Sequence, residues 1–181
     1  MYVIAIKNWL NEFAAMKILQ EKGLLRDDMI PLVEVIQEKF THDDKIDPFT
    51  GEIVREEKIC KGGKIIHRAV KDMSSPHDVT LDKVAQLFPN RPVMVDYFRC
   101  DLNRYRYKPD KIPLVIQLNR DLGLYKTKIL GIAVYPNLIP VITVKRGIDA
   151  LKPDEVVVLA GQLRADNPAQ RIAIRIDDLE G

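Results

Sequence analysis

Cysteine is nearly missing from this chain: Cys60 and Cys100 are the only two among 181 residues. Two thiols cannot staple a small secreted scaffold, and neither has a second cysteine at the short spacing that metal and redox motifs use. Long apolar runs are missing as well. None approaches the ~20 residues that a membrane span needs, and the opening MYVIAIKNWLNEF has no basic segment ahead of an apolar core, so no leader peptide is expected. A bulk charge of one sign is also absent. Lys and Arg number 28 against 26 Asp and Glu, a formal net charge of +2, so any affinity for nucleic acid has to come from a local patch. There is no GxSxG and no CxxC pair, and Gly62-Gly63-Lys64 lacks both the Walker spacing and the Ser or Thr after its lysine. These absences lead us to expect a soluble cytoplasmic protein with reduced, structural cysteines and no membrane partner.

What the chain does have is a recurring β-branched stretch that closes on a polar residue. It occurs at 30–35 (IPLVEV), 91–97 (RPVMVDY), 139–145 (IPVITVK) and 171–177 (RIAIRID). Strands covered by helices on both faces of a parallel sheet read this way, apolar almost throughout. With a first strand at 2–6 (YVIAI), they alternate with helices expected at Trp9–Lys22, Leu81–Phe88, Tyr125–Val134, whose pattern would suit a strand nearly as well, and Glu155–Leu163. Asn8 or Asn11 would cap the first of these and Gly23 would end it. Pro153 suits the first turn of the last. The stretch 112–118 (IPLVIQL) fits a helix start or a further strand.

Residues 38–78 break that rhythm with polar sequence and the turn signals DPFTG, KGGK and SSP. They read as an inserted excursion after the second strand, with a small hairpin from Glu52 to Ile66. The expected fold is therefore one α/β domain over 1–181, built of repeated βα units with a mainly parallel sheet. Five strands fall short of the eight that close a barrel. The architecture is thus partial or truncated TIM-barrel-like: the N-terminal part of a longer barrel, or an open sheet with a covered edge.

The first 36 residues resemble the start of the phage and prophage "beta protein" family. The matching elements are the Met1-Tyr2 strand, Lys7, a helix with Glu12 and Ala14-Ala15, and the Ile30-Pro31-Leu32-Val33-Glu34 strand. The resemblance implies a TIM-barrel-like α/β organisation and phage association. It implies no activity and no catalytic residue.

In α/β folds ligands bind at the carboxyl ends of the strands. Glu34, Asp96, Lys145, Arg175 and Asp177 end or nearly end their strands, and Lys7 leaves the first. Carboxylates gathered there can hold Mg²⁺ or share acid/base work, with Lys145 or Arg175 neutralising charge. The alternative is that each acid caps a helix or pairs with Arg175 or Lys145. A second candidate is the basic, aromatic run Arg99, Arg104, Tyr105, Arg106, Tyr107 and Lys108, with Lys111 beyond it. Such interleaving suits phosphate contact and base stacking, although Asp101 and Asp110 dilute it. His42, Cys60, His67 and His77 lie in the excursion without the short ligand spacing of zinc sites, so they read as surface residues.

Three functions compete on these grounds. In the first, a phage-associated binding protein engages a host or phage macromolecule, protein or nucleic acid, through the excursion and the basic run. The second is a metal-assisted hydrolase or nuclease at the carboxylate rim. The third is a structural fragment that forms a homodimer through its open edge.

Overall fold

The computed structural model describes residues 2–99, 112–145, 151–165 and 167–177. They form two compact units, 1–38 with 81–181 and, separately, 39–80.

The larger unit holds five strands: β1 (Tyr2–Lys7), β2 (Met29–Val35), β7 (Val93–Tyr97), β8 (Leu138–Lys145) and β9 (Ala173–Asp177). They pair in chain order, every neighbour parallel. Parallel neighbours need crossovers. Here these are α1 (Leu10–Glu21), α2 (Thr80–Leu87), the pair α3 (Pro113–Arg120) and α4 (Leu122–Ile132), and α5 (Pro153–Ala165). Right-handed connections between successive neighbours put the described helices on one face, and the main core lies there. Val33, Val35, Val93, Val95 and Ile142 from the strands meet Met16, Val84, Leu118, Ile129 and Leu159 from the helices. The expected mixed α/β architecture with a parallel sheet is what forms, and the sheet is curled like half of a barrel. Ile30, Ile139 and Val141 are buried on the second face and belong to neither core cluster.

Several local expectations change. Neither Asn8 nor Asn11 caps α1, whose N-cap is Trp9 without a side-chain bond. Asn8 is buried and instead ties the end of β1 to the end of β2, accepting from Ile36 N at 3.0 Å and donating to Gln37 O at 2.5 Å. Of the apolar residues of α1, Met16 is buried while Leu10 and Ile18 are exposed. Gly23 does end the helix, at φ +64°, with Leu24 N bonding Leu19 O and Gly23 N bonding Gln20 O, the paired closure of a Schellman motif. The ambiguous 112–118 stretch is helical because Pro113 sits at the first turn, where its missing N–H costs nothing. Asp121 then caps α4 by accepting from Leu124 N.

The smaller unit contains only antiparallel pairs: β3 (Phe40–Asp44) with β6 (Lys71–Asp78), and β4 (Arg55–Ile59) with β5 (Ile65–Ala69). Three backbone bonds join them in a cycle, Lys45 N to Val70 O, Val54 N to Lys45 O, and Val70 N to Val54 O. From this junction two hairpins project. One is the expected hairpin, set a few residues later than Glu52–Ile66 and turning at 60–64. The other, closed by the Ile46–Ile53 bridge, turns at 47–51.

Candidate functional site

Parallel register decides which rim residues share a face. Lys7 pairs with Glu34, Glu34 with Asp96, and Thr143 with Arg175. Residues opposite each other in a ladder project from the same side, so all of these stand at the carboxyl ends of the strands, on the face opposite the one that the described helices cover.

Glu34 and Asp96 are both buried. Between them lies the guanidinium of Arg175, whose Nη1 donates to Glu34 Oε1 at 2.7 Å and to Asp96 Oδ2 at 2.9 Å. The two oxygens share one nitrogen, so they are no further apart than two hydrogen bonds. Asp96 Oδ1 accepts from the Thr143 hydroxyl at 2.8 Å, and Thr143 N donates to the Tyr125 hydroxyl at 2.9 Å. Two aromatic rings complete the surroundings: the Arg175 guanidinium lies 5.7 Å from the Phe98 ring centre and that of Arg99, itself buried, 4.9 Å from Tyr125.

This environment perturbs two groups. Burial pushes the Asp96 carboxyl up to about 6, and the nearby Glu34 adds to the rise, while the Arg175 charge and the bonds from Thr143 and Arg175 hold it down. Burial, then the Asp96 charge, raises the Tyr125 hydroxyl above its ordinary range. A carboxyl near 6 can exchange protons at neutral pH. A buried Arg–carboxylate cluster also fixes geometry without any chemistry.

Of the rim candidates, Glu34, Asp96 and Arg175 are brought together. Lys145 and Asp177 pair with each other in register at the ends of β8 and β9, but their side chains lie outside the described residues. So do Arg104, Tyr105, Arg106, Tyr107 and Lys108, with Lys111. Arg99, the one member of that run inside the described residues, is buried beside Tyr125 rather than on a surface. Among the described residues no three His, Cys, Asp or Glu side chains gather as a metal group. His77 meets Asp43, and His67 stands opposite Glu57.

Sequence reasoning missed Thr143, Tyr125 and Phe98. Thr143 had a signal, being the only polar residue inside VITV and two positions before Lys145, hence on the same face. Tyr125 and Phe98 reach the site through tertiary packing that no local pattern announces.

At the other end of the sheet Arg91 bonds the backbone carbonyls of Leu25, Arg26 and Met29. It pins the α1–β2 turn, as polar groups at the amino ends of strands in such folds tend to serve stability.

The excursion is the second candidate surface. Thr80 is its only buried residue, whereas Phe40, Ile46, Phe49, Ile53, Ile59, Ile65, Ile66 and Met73 are exposed large hydrophobics. Phe49 is 96 % exposed. Its turn is fixed by the Asp47 carboxylate, which accepts from Phe49 N at 2.8 Å and Thr50 N at 3.0 Å, and by Gly51 at φ +73°. The same backbone bonds lower the Asp47 pKa.

No protein-family model, no curated protein and no solved structure matches this chain. No helix of the described residues is long and apolar enough to cross a membrane.

Proposed function

We propose that this chain is a binding protein that engages a macromolecule through the excursion 39–80, with the parallel sheet as its scaffold. The observation that carries the reading is Phe49, an aromatic ring held almost wholly in solvent on a turn locked by Asp47 and Gly51. Further exposed hydrophobics stand in pairs, Ile46 with Ile53 and Ile59 with Ile65; apolar side chains gathered on a surface mark interaction sites, and aromatic anchors dominate binding energy. Two-stranded ribbons also gain little stability by themselves, so a partner that buries these hydrophobics repays their ordering. The test is capture of a partner from bacterial lysate by the wild-type chain and by Phe49→Ala. The reading expects a specific partner with the first and its loss with the second; no specific partner, or equal capture by both, counts against it.

A phage or prophage origin and a partial TIM-barrel-like scaffold accompany this proposal. What supports them is the resemblance of the first 36 residues together with the chain-order pairing of the strands, since a sheet wound in one direction is the geometry from which such barrels close. A cytoplasmic setting goes with that origin.

A second reading keeps the rim as a hydrolytic site. It is supported by the Asp96 carboxyl near 6 beside Glu34 and Arg175. Mg²⁺ would compete with the guanidinium for the same two oxygens. Thermal unfolding with and without Mg²⁺, alongside hydrolysis assays of Glu34→Ala and Asp96→Ala, separates the readings: an ion that changes nothing and variants that lose no activity remove the enzyme.

A further inference from the structure

We infer that the hairpin turning at Cys60–Lys64 grips duplex DNA, an inference that rests on the excursion being a binding element. Charge is segregated along this unit. Residues 58–68 carry Lys58, Lys61, Lys64 and Arg68 and no carboxylate, whereas the rest of 39–80 holds eight acids against four Lys and Arg. A unit that is neutral as a whole therefore presents a cationic end.

The cations are also available. Lys58, Lys61, Lys64 and Arg68 are exposed, and among the described residues none of the three lysines forms an ion pair. Within the ribbon Glu56 stands opposite Arg68, and Glu57 is offset by Arg55 on the same strand, so the three lysines supply the unbalanced charge. The turn itself is open. Gly62 and Gly63 take φ +104° and +78°, with empty space where a Cβ would stand, so their backbone can approach another surface closely. Ile59 and Ile65 face each other at the last rung and are 72 % and 54 % exposed.

Shape selects among polyanions. The ribbon is two strands wide with five residues in each, roughly 17 Å long at the usual rise. The DNA major groove, about 12 Å wide, admits a two-stranded ribbon. Lysines at the tip then meet phosphates, while Ile59 and Ile65 give base edges an apolar contact. The corresponding groove of A-form RNA is too deep and narrow for side chains to read. An anionic membrane surface would attract the same lysines, but residues 58–68 contain no Trp, Tyr or Phe to seat at its interface, whereas the ribbon's width matches the groove.

The experiment is fluorescence anisotropy of a labelled mixed-sequence DNA duplex with the full chain, titrated from about 50 to 200 mM salt. Wild type is expected to bind, with log K falling against log salt at a slope of roughly −3, near one counterion for each of three lysines. The triple variant Lys58→Gln, Lys61→Gln, Lys64→Gln should lose about tenfold or more in affinity and most of that slope. Its unfolding midpoint should not move, because all three side chains are exposed. Binding by the triple variant equal to wild type overturns the inference, as does preference for an RNA duplex or for phosphatidylserine vesicles over DNA. A wild-type chain that ignores DNA yet captures a partner through Phe49 overturns the DNA inference alone. One that ignores DNA and captures nothing removes the binding reading with it.

Discussion

Arg175 on β9 donates to Glu34 on β2 across 2.7 Å although β7 and β8 lie between their strands. In a flat sheet those strands would run about 14 Å apart, three inter-strand spacings, with side chains standing off the surface rather than along it. The bond closes because the sheet curls, so the Arg175–Glu34 contact reports the curvature directly. It also stations a cation over Asp96, whose other oxygen is held by Thr143.

Removing that cation leaves a buried carboxylate without its main partner. Arg175→Met is expected to push the Asp96 carboxyl further above 6, since the Arg175 charge is the largest influence holding it down. It should also cost about 3 kcal/mol, the usual loss when one side of a buried pair is deleted. A carbon-13 NMR titration of Asp96 and urea unfolding measure both; an unchanged Asp96 titration would show that the contact does not form in solution.

Stability should depend on pH through Asp96, with a sign that follows from burial. Its folded value of about 6 lies above the ordinary 3.8, so between those values the folded state keeps a proton that the unfolded chain has released. Stability from this group is therefore complete below pH 3.8 and is lost as pH rises through 6, in total on the order of 3 kcal/mol. Urea midpoints across this window for wild type and Asp96→Asn provide the check. The variant should lack this part of the slope, and identical profiles refute the assignment.

Thr143→Val keeps the volume but deletes the hydroxyl that donates to Asp96. We expect a loss of about 1–2 kcal/mol and a further rise of the Asp96 carboxyl, because that bond favours its charged form. Combining it with Arg175→Met should show non-additive costs in a double-mutant cycle, as both act on one carboxylate.

Gly23→Ala tests the closure of α1. Nothing stands within 4 Å of the added methyl, so the cost arises from the backbone at φ +64° alone and should be about 1 kcal/mol. A stabilised variant in thermal unfolding would mean that residue 23 does not hold the left-handed conformation.

The parallel scaffold was legible because buried strands such as IPLVEV and RPVMVDY are apolar on both faces and end on polar residues. Glu34 and Asp96 could be placed side by side for the same reason, once their strands were taken as neighbours. What could not be read was the partner that joins them. Arg175 meets Glu34 only through curvature, a property of the whole sheet, and Tyr125 arrives from a helix whose pattern suits a strand nearly as well. The first cap failed because Asn8 serves the neighbouring strand instead. In the excursion KGGK marked the expected hairpin, whereas the second hairpin at DPFTG was not foreseen, the SSP signal lies inside β6, and the common junction at Lys45, Val54 and Val70 depends on backbone bonds that leave no trace in residue type.

Site-specific photocrosslinking from the tip of the excursion tests the central claim most directly. With p-benzoylphenylalanine in place of Phe49, and in a control chain in place of the exposed Leu10, irradiation in bacterial lysate should yield a discrete crosslinked product from position 49 alone. No product from position 49, or the same products from both, would contradict the claim that this turn is where the protein meets its partner.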